Sequence, residues 1–185
     1  PPVLLAEHDH QLGFQAVAAS PQLPIQIVAS GHQRLTLFTL GPDGTRLAPD
    51  RELPVLGDDV VQAIWSPDGS RLACGTQGGT VAVYKITSSD IAPPKIISSH
   101  RQKIRQLAFD ESGQTLISVD AESLRIHDAI AGVTYDEFTP GFEITAAAIT
   151  PGDRSIILGT SEGVATIPLA SREQVQADLS QQAGN

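Results

Sequence analysis

Apolar and polar positions alternate along most of this chain in short runs, and turn residues punctuate them. The clearest stretch is Val60–Ile86. Val60-Val-Gln-Ala-Ile-Trp65 reads as a strand that ends in Ser66-Pro-Asp-Gly69. Arg71–Thr76 reads as a second strand ending in Gln77-Gly-Gly79, and Thr80–Ile86 follows at once as a third. The unit recurs in weaker form. The first apolar residue of its third strand is Leu35, then Val81, Leu124 and Ala165, at intervals of 46, 43 and 41 residues. Repeats of this length predict a radial or stacked all-β array.

Each unit resolves into its own strands. Unit one is expected at Phe14–Ala19, Ile25–Ser30, Arg34–Leu40 and Arg46–Leu56, with Gly41-Pro-Asp-Gly44 as a tight turn. There Pro presets φ at the second position and Gly accepts the positive φ at the end. Unit two is expected at Val60–Ser66, Arg71–Thr76, Thr80–Ile86 and Lys95–Ser99. Unit three is expected at Ile104–Asp110, Thr115–Val119, Ser123–Asp128 and Val133–Phe138. Unit four is expected at Ile144–Thr150, Ser155–Gly159 and Ala165–Leu169. First strands such as Ile144-Thr-Ala-Ala-Ala-Ile149 carry small residues, which suits convergence on an axis. Second strands such as Ile156-Ile-Leu-Gly159 are expected to be buried on both faces. No segment before residue 170 carries a helical apolar stripe.

These units resemble WD40 repeats over roughly residues 8–170, most specifically at Val60–Ile86. The resemblance implies an all-β, WD40-like β-propeller with four blades in this chain. The blades fall approximately at 8–56, 57–99, 100–142 and 143–180. Residues 1–7 are the outer strand of a preceding or closing blade, and 181–185 are a tail. Family members usually carry Gly-His before the inner strand and Trp-Asp after the third. Here the His is His100, and His8 or His10 in unit one, while Asp58 or Asp59 stands near that place in unit two. The Trp position holds Phe38, Tyr84, His127 and Pro168, and His127-Asp128 alone keeps the Asp. The family links that His, a second-strand Ser or Thr, a turn Asp and the Trp by hydrogen bonds. No unit keeps the full set of residues, so the blades are expected to depend more on apolar packing between neighbours.

Propellers of this family typically have seven blades, sometimes six or eight, so four leave the ring open. Three arrangements follow. The chain is the C-terminal part of a larger propeller; or another chain, a copy of itself included, completes the ring; or four blades close alone. Val3–His8 and Glu173–Leu179 are both candidates for the missing outer strand of unit four, with a terminal helix as an alternative for the latter. The chain has no methionine, which fits a piece of something longer.

Composition narrows the function classes. The net charge of -9 over 185 residues disfavours nucleic-acid and anionic-membrane partners. No apolar run approaches the ~18 residues of a membrane span. The single Cys74 sits mid-strand, where a small buried hydrophobe fits, and it cannot form an internal disulfide. No signal peptide is visible at the start. An intracellular, cytoplasmic setting is expected.

Candidate chemistry is sparse. His8-Asp-His10 is a tight cluster with no third ligand nearby, so no metal site is expected. His32 follows Gly31 at a turn and reads as solvated, and His127 as mostly buried. No nucleophile elbow and no phosphate loop precedes a helix, so no cofactor is expected and the chain reads as a non-enzyme. His100-Arg-Gln-Lys-Ile-Arg105 is the basic cluster of an acidic chain, and Asp58-Asp59 occupies the matching place one blade earlier. By the resemblance both lie on the rim near the axis, where partners dock. His100 also reads as the family's loop-packing histidine. The leading function is a non-catalytic scaffold that displays Asp58, Asp59, His100, Arg101 and Lys103 to a protein or peptide. The alternatives are an enzyme or small-molecule binder using the central channel, and a purely architectural half-ring. Gln15, Val61, Arg105 and Thr145 hold equivalent inner-strand places and are too mixed for a metal ring.

Overall fold

The computed structural model describes residues 15–22, 24–31, 33–41, 47–87, 92–150 and 155–169. Every regular element among them is a strand. β1 (Ala16–Ala19), β2 (Gln26–Gly31), β3 (Arg34–Leu40) and β4 (Leu47–Glu52) form the first blade, in that order. β5 (Val60–Trp65), β6 (Arg71–Thr76), β7 (Thr80–Lys85) and β8 (Lys95–Ser99) form the second. β9 (Gln106–Phe109), β10 (Thr115–Val119), β11 (Leu124–Asp128) and β12 (Val133–Phe138) form the third. β13 (Ile144–Ile149), β14 (Ser155–Thr160) and β15 (Gly163–Pro168) form a three-stranded fourth. All pairings are antiparallel meanders, as tight turns between sequential strands require.

The inner strands β1, β5, β9 and β13 neighbour one another in sequence, which arranges the blades around an arc. Three apolar seams join the blades. Val28, Leu35 and Leu37 of blade one pack with Val60, Trp65, Leu72 and Tyr84 of blade two. Ala73, Val81 and Ile97 pack with Leu107 and Leu116 of blade three. Ile117, Val119 and Leu124 pack with Ile144, Ile156 and Leu158 of blade four. Burial at about 25 cal/mol per Å² makes these seams the main stabilising term. Among the described residues no comparable seam joins blade four to blade one, and the ring is open.

Several strands are shorter than their sequence pattern. β4 stops at Glu52 rather than Leu56, because Pro54 has no N–H to extend a ladder. β9 starts at Gln106 rather than Ile104, because the Ile104 N–H bonds to Thr76 O of the neighbouring blade at 3.1 Å. β14 corrects the expectation of two buried faces. Ile156 and Leu158 are fully buried on blade three, while Ile157 between them is 36% exposed. Its face has no sheet against it among the described residues. The expected strands at Val3–His8 and Glu173–Leu179, the turn at Pro151–Asp153, most of Gly41–Gly44, and His8, His10 and His32 lie outside the described residues.

Candidate protein-binding rim

One end of the blades carries the connections from each outer strand to the next inner strand, together with the turns between second and third strands. Hydrogen bonds weave the two sets together. The His100 N–H bonds to Gly79 O at 2.8 Å, and the Ile144 N–H to Ala121 O at 2.9 Å. The Ser161 N–H bonds to Glu143 O at 3.0 Å. At this end each inner strand begins with an extra residue in its ladder. The Gln15 N–H reaches Ser30 O and the Arg105 N–H reaches Val119 O, each 2.8 Å. The ladder steps over Val61 and Thr145 in the same way. The four equivalent inner-strand places are therefore bulge positions, which re-aim a side chain. Gln15, Arg105 and Thr145 are exposed there, and Val61 is buried.

Connection 100–105 is the most tightly held. His100 and Ile104 are buried, and Arg101, Lys103 and Arg105 are exposed between and after them. Ile104 sits over Gly75, where an added Cβ would lie 2.5 Å from Ile104 Cγ2. Gly79 passes under the loop, and a Cβ on it would lie 2.5 Å from His100 O. With φ at +93°, Gly79 also occupies backbone space that other residues rarely adopt. The Gln102 side-chain amide donates to Glu122 Oε1 at 2.6 Å.

The His100 ring enters a buried relay. Ile97 O, in blade two, can only accept, so the Thr134 hydroxyl donates to it at 3.1 Å. Thr134 Oγ1 then accepts from His127 Nδ1–H at 2.9 Å. Burial, with His100 and Arg125 adding to it, pushes the His127 pKa down to about 3, so the ring is neutral. Its Nε2 therefore accepts from the Ser118 hydroxyl at 2.7 Å. Ser118 Oγ in turn accepts from His100 Nε2–H at 2.6 Å. At the near end, His100 Nδ1 lies 3.1 Å from Ser123 Oγ and 3.3 Å from Asp120 Oδ2. Burial lowers the His100 pKa more than Asp120 raises it, so this ring is also neutral, and the Ser123 hydroxyl donates to Asp120 Oδ1 at 3.1 Å. Burial works to raise the Asp120 pKa, but N–H donors from Glu122 and Ser123 hold it below its ordinary value.

Two expectations change here. Blade three has a complete hydrogen-bonded set, because an imidazole at the Trp position offers both a donor and an acceptor. The chain of bonds extends through Thr134 into blade two. His100 also leaves the list of partner contacts, since its side chain is 0% exposed. Ser118, His100 and Asp120 have the composition of a catalytic triad, but Ser118 is buried and its oxygen lies between two imidazoles.

The acidic pair is engaged within the protein. Asp58 accepts from the N–H groups of Gly78 and Asp59. Partial desolvation opposes its ionisation, but these bonds and one from Thr76 outweigh it and lower the pKa. Asp59 accepts from Gln33 N–H at 2.9 Å and Gln15 Nε2 at 3.2 Å. The two carboxylates thus tie down turns of blades one and two. Arg105 Nη2 pairs with Glu143 Oε1 at 2.7 Å, and its Nη1 donates to Ile144 O at 3.0 Å. Arg101 and Lys103 have no ion pair among the described residues. No three His, Cys, Asp or Glu among the described residues converge as a metal set.

The blades have counterparts among known proteins. A β-propeller family model described as Nucleolar protein 10-like, N-terminal domain, matches residues 45–174, well over half of the chain. The chain belongs to this family. It is also similar to the WD repeat-containing protein VIP3 of Arabidopsis thaliana, with 36% identity over 50 residues. That match covers 27% of this chain and 15% of the relative's length. The chain is a WD40-type β-propeller, a class that serves generally as a protein-interaction scaffold.

Proposed function

We propose that the chain is a non-catalytic platform that displays the 100–105 connection to a protein or peptide partner. The observation that supports this most is the alternation at the rim. His100, Gln102 and Ile104 are held by the blades, while Arg101 and Lys103 face outward. Such a loop loses little conformational freedom on binding, which favours recognition. Asp58 and Asp59 shape the neighbouring turns rather than reach outward. The setting is intracellular, in line with the nucleolar protein for which the family is named. That name refers to an N-terminal domain and lends no support to a C-terminal place for this module.

Panning a random peptide display library on the chain tests the proposal. Selected peptides should slow amide exchange at residues 100–105 and 120–123. Peptides that protect only outer strands or blade faces would overturn it. A metal scan with a broad esterase and lactonase assay tests the enzyme alternative.

A second reading, the piece of a ring, is favoured by blade four. Among the described residues it shows three strands, and Val164 is 78% exposed. In this reading another sheet covers the Ile157 face. Native mass and solution scattering decide, since a compact monomer would exclude a ring made with a second copy.

A further inference from the structure

We infer that the rim partner is a short acidic segment, held by Arg101 and Lys103. The inference rests on the platform reading and adds the partner's chemistry. The chain has 21 acidic residues against 12 Lys and Arg, and five of the nine described Lys and Arg side chains form ion pairs. Each acidic side chain beside this connection has a partner within the protein. Asp58 takes backbone N–H groups, and so does Asp120. Glu122 takes the Gln102 amide, and Glu143 takes Arg105. Arg101 and Lys103 stand exposed in the midst of these satisfied acids and pair with none of them.

Their placement is set by the blades. His100 and Ile104 are buried anchors on either side, and Gln102 is tied to Glu122 between the two cations. A guanidinium and an ammonium two residues apart on a fixed loop suit two carboxylates of an extended strand.

The net charge limits the length of the occupant. Charges beyond about 8 Å are screened at physiological salt, so a short segment feels the two cations locally. A long polyanion would run over the surrounding acidic surface and be repelled. A segment of a few Asp or Glu residues fits, and nucleic acid does not.

The test uses the full chain and a fluorescein-labelled hexaglutamate peptide, read by anisotropy. Binding should appear at low salt and weaken several-fold between about 0.05 and 0.3 M NaCl. The double variant R101E/K103E should lose about tenfold or more, and R101Q/K103Q somewhat less. Both positions are exposed, so unchanged circular dichroism and melting are expected for both variants. Absence of hexaglutamate binding overturns the inference, as does binding that survives R101E/K103E. Tighter binding of a single-stranded RNA than of hexaglutamate overturns it in favour of nucleic acid. The peptide display experiment keeps the two readings apart. Rim-binding peptides without Asp or Glu sink the acidic partner and leave the platform standing. A library that yields no rim binder sinks both.

Discussion

Ser118→Ala probes the buried relay of blade three at its centre. The hydroxyl donates to His127 Nε2 and accepts from His100 Nε2–H, at 2.7 and 2.6 Å. Alanine removes one oxygen and leaves two imidazole nitrogens without partners in a region closed to water. Stranding a buried polar group costs about 1–3 kcal/mol, so the pair predicts a loss of about 2–6 kcal/mol. The cavity is a single atom and adds little. For a chain of this size 1 kcal/mol moves the melting point by about 2–4 °C, so a fall of roughly 4–24 °C is expected. Thermal and urea unfolding by circular dichroism measure it, with an unchanged urea slope to show that the unfolded state is unaffected. Amide exchange should also quicken at His100 and Ser123, whose side chains meet at the relay's near end. A loss below about 0.5 kcal/mol would mean that the relay is not stabilising, and the argument for a locked rim would fail.

Further outcomes follow from the same contacts. Thr134→Val should cost about 1–3 kcal/mol by stranding the His127 Nδ1 position, whereas Thr134→Ser should cost well under half of that; equal losses would contradict a part for the hydroxyl in the relay. Gly79→Ala should quicken exchange throughout residues 100–105 and weaken any rim ligand, because a Cβ there meets His100 O and Gln102 O; unchanged exchange would contradict the close approach. Both relay histidines have lowered folded pKa values, so the unfolded chain binds more protons below about pH 6.5. Their contribution is full above that pH and is lost as the pH falls, down to about 3 for His127. Unfolding free energy should drop by about 1.4–2.7 kcal/mol per unit near pH 5, and a flat profile between about pH 7 and 5 would refute neutral buried rings. Ile157→Asp should cost the isolated chain only about 1–2 kcal/mol, since that side chain is 36% exposed; a loss of about 4 kcal/mol or more would show that something covers the face.

What could be read in the sequence divides along the range of the interactions. The strands Arg71–Thr76, Lys95–Ser99, Thr115–Val119 and Val133–Phe138 keep their expected limits in the structure. Their signals are local, being period-two alternation closed by Gly or Pro. Strand ends set by another blade were not readable, as at Ile104, whose N–H is taken by Thr76 O. The exposure of Ile157 escaped for the same reason, because burial of a second strand needs a sheet on both sides. The relay was hidden by residue type. A histidine at the Trp position reads as a lost repeat until the register sets His127 opposite Thr134 and two residues from Arg125, the partner of Ser118. By the same register Cys74 is the blade-two counterpart of Ser118, and Tyr84 the counterpart of His127. There the phenol donates to Pro54 O instead, which no local pattern foretells. Arg101 and Lys103 were legible as a basic cluster on an acidic chain. That Asp58 and Asp59 bond to the N–H groups of neighbouring turns was not.

Residue-resolved amide exchange over the 100–105 connection tests the rigid-display account most directly. The account predicts slow exchange at His100 and Ile104, whose N–H groups bond to Gly79 O and Thr76 O at 2.8 and 3.1 Å, and faster exchange at Arg101 and Lys103 between them. Uniformly fast exchange across all of these positions, near the rate of an unstructured peptide, would contradict it.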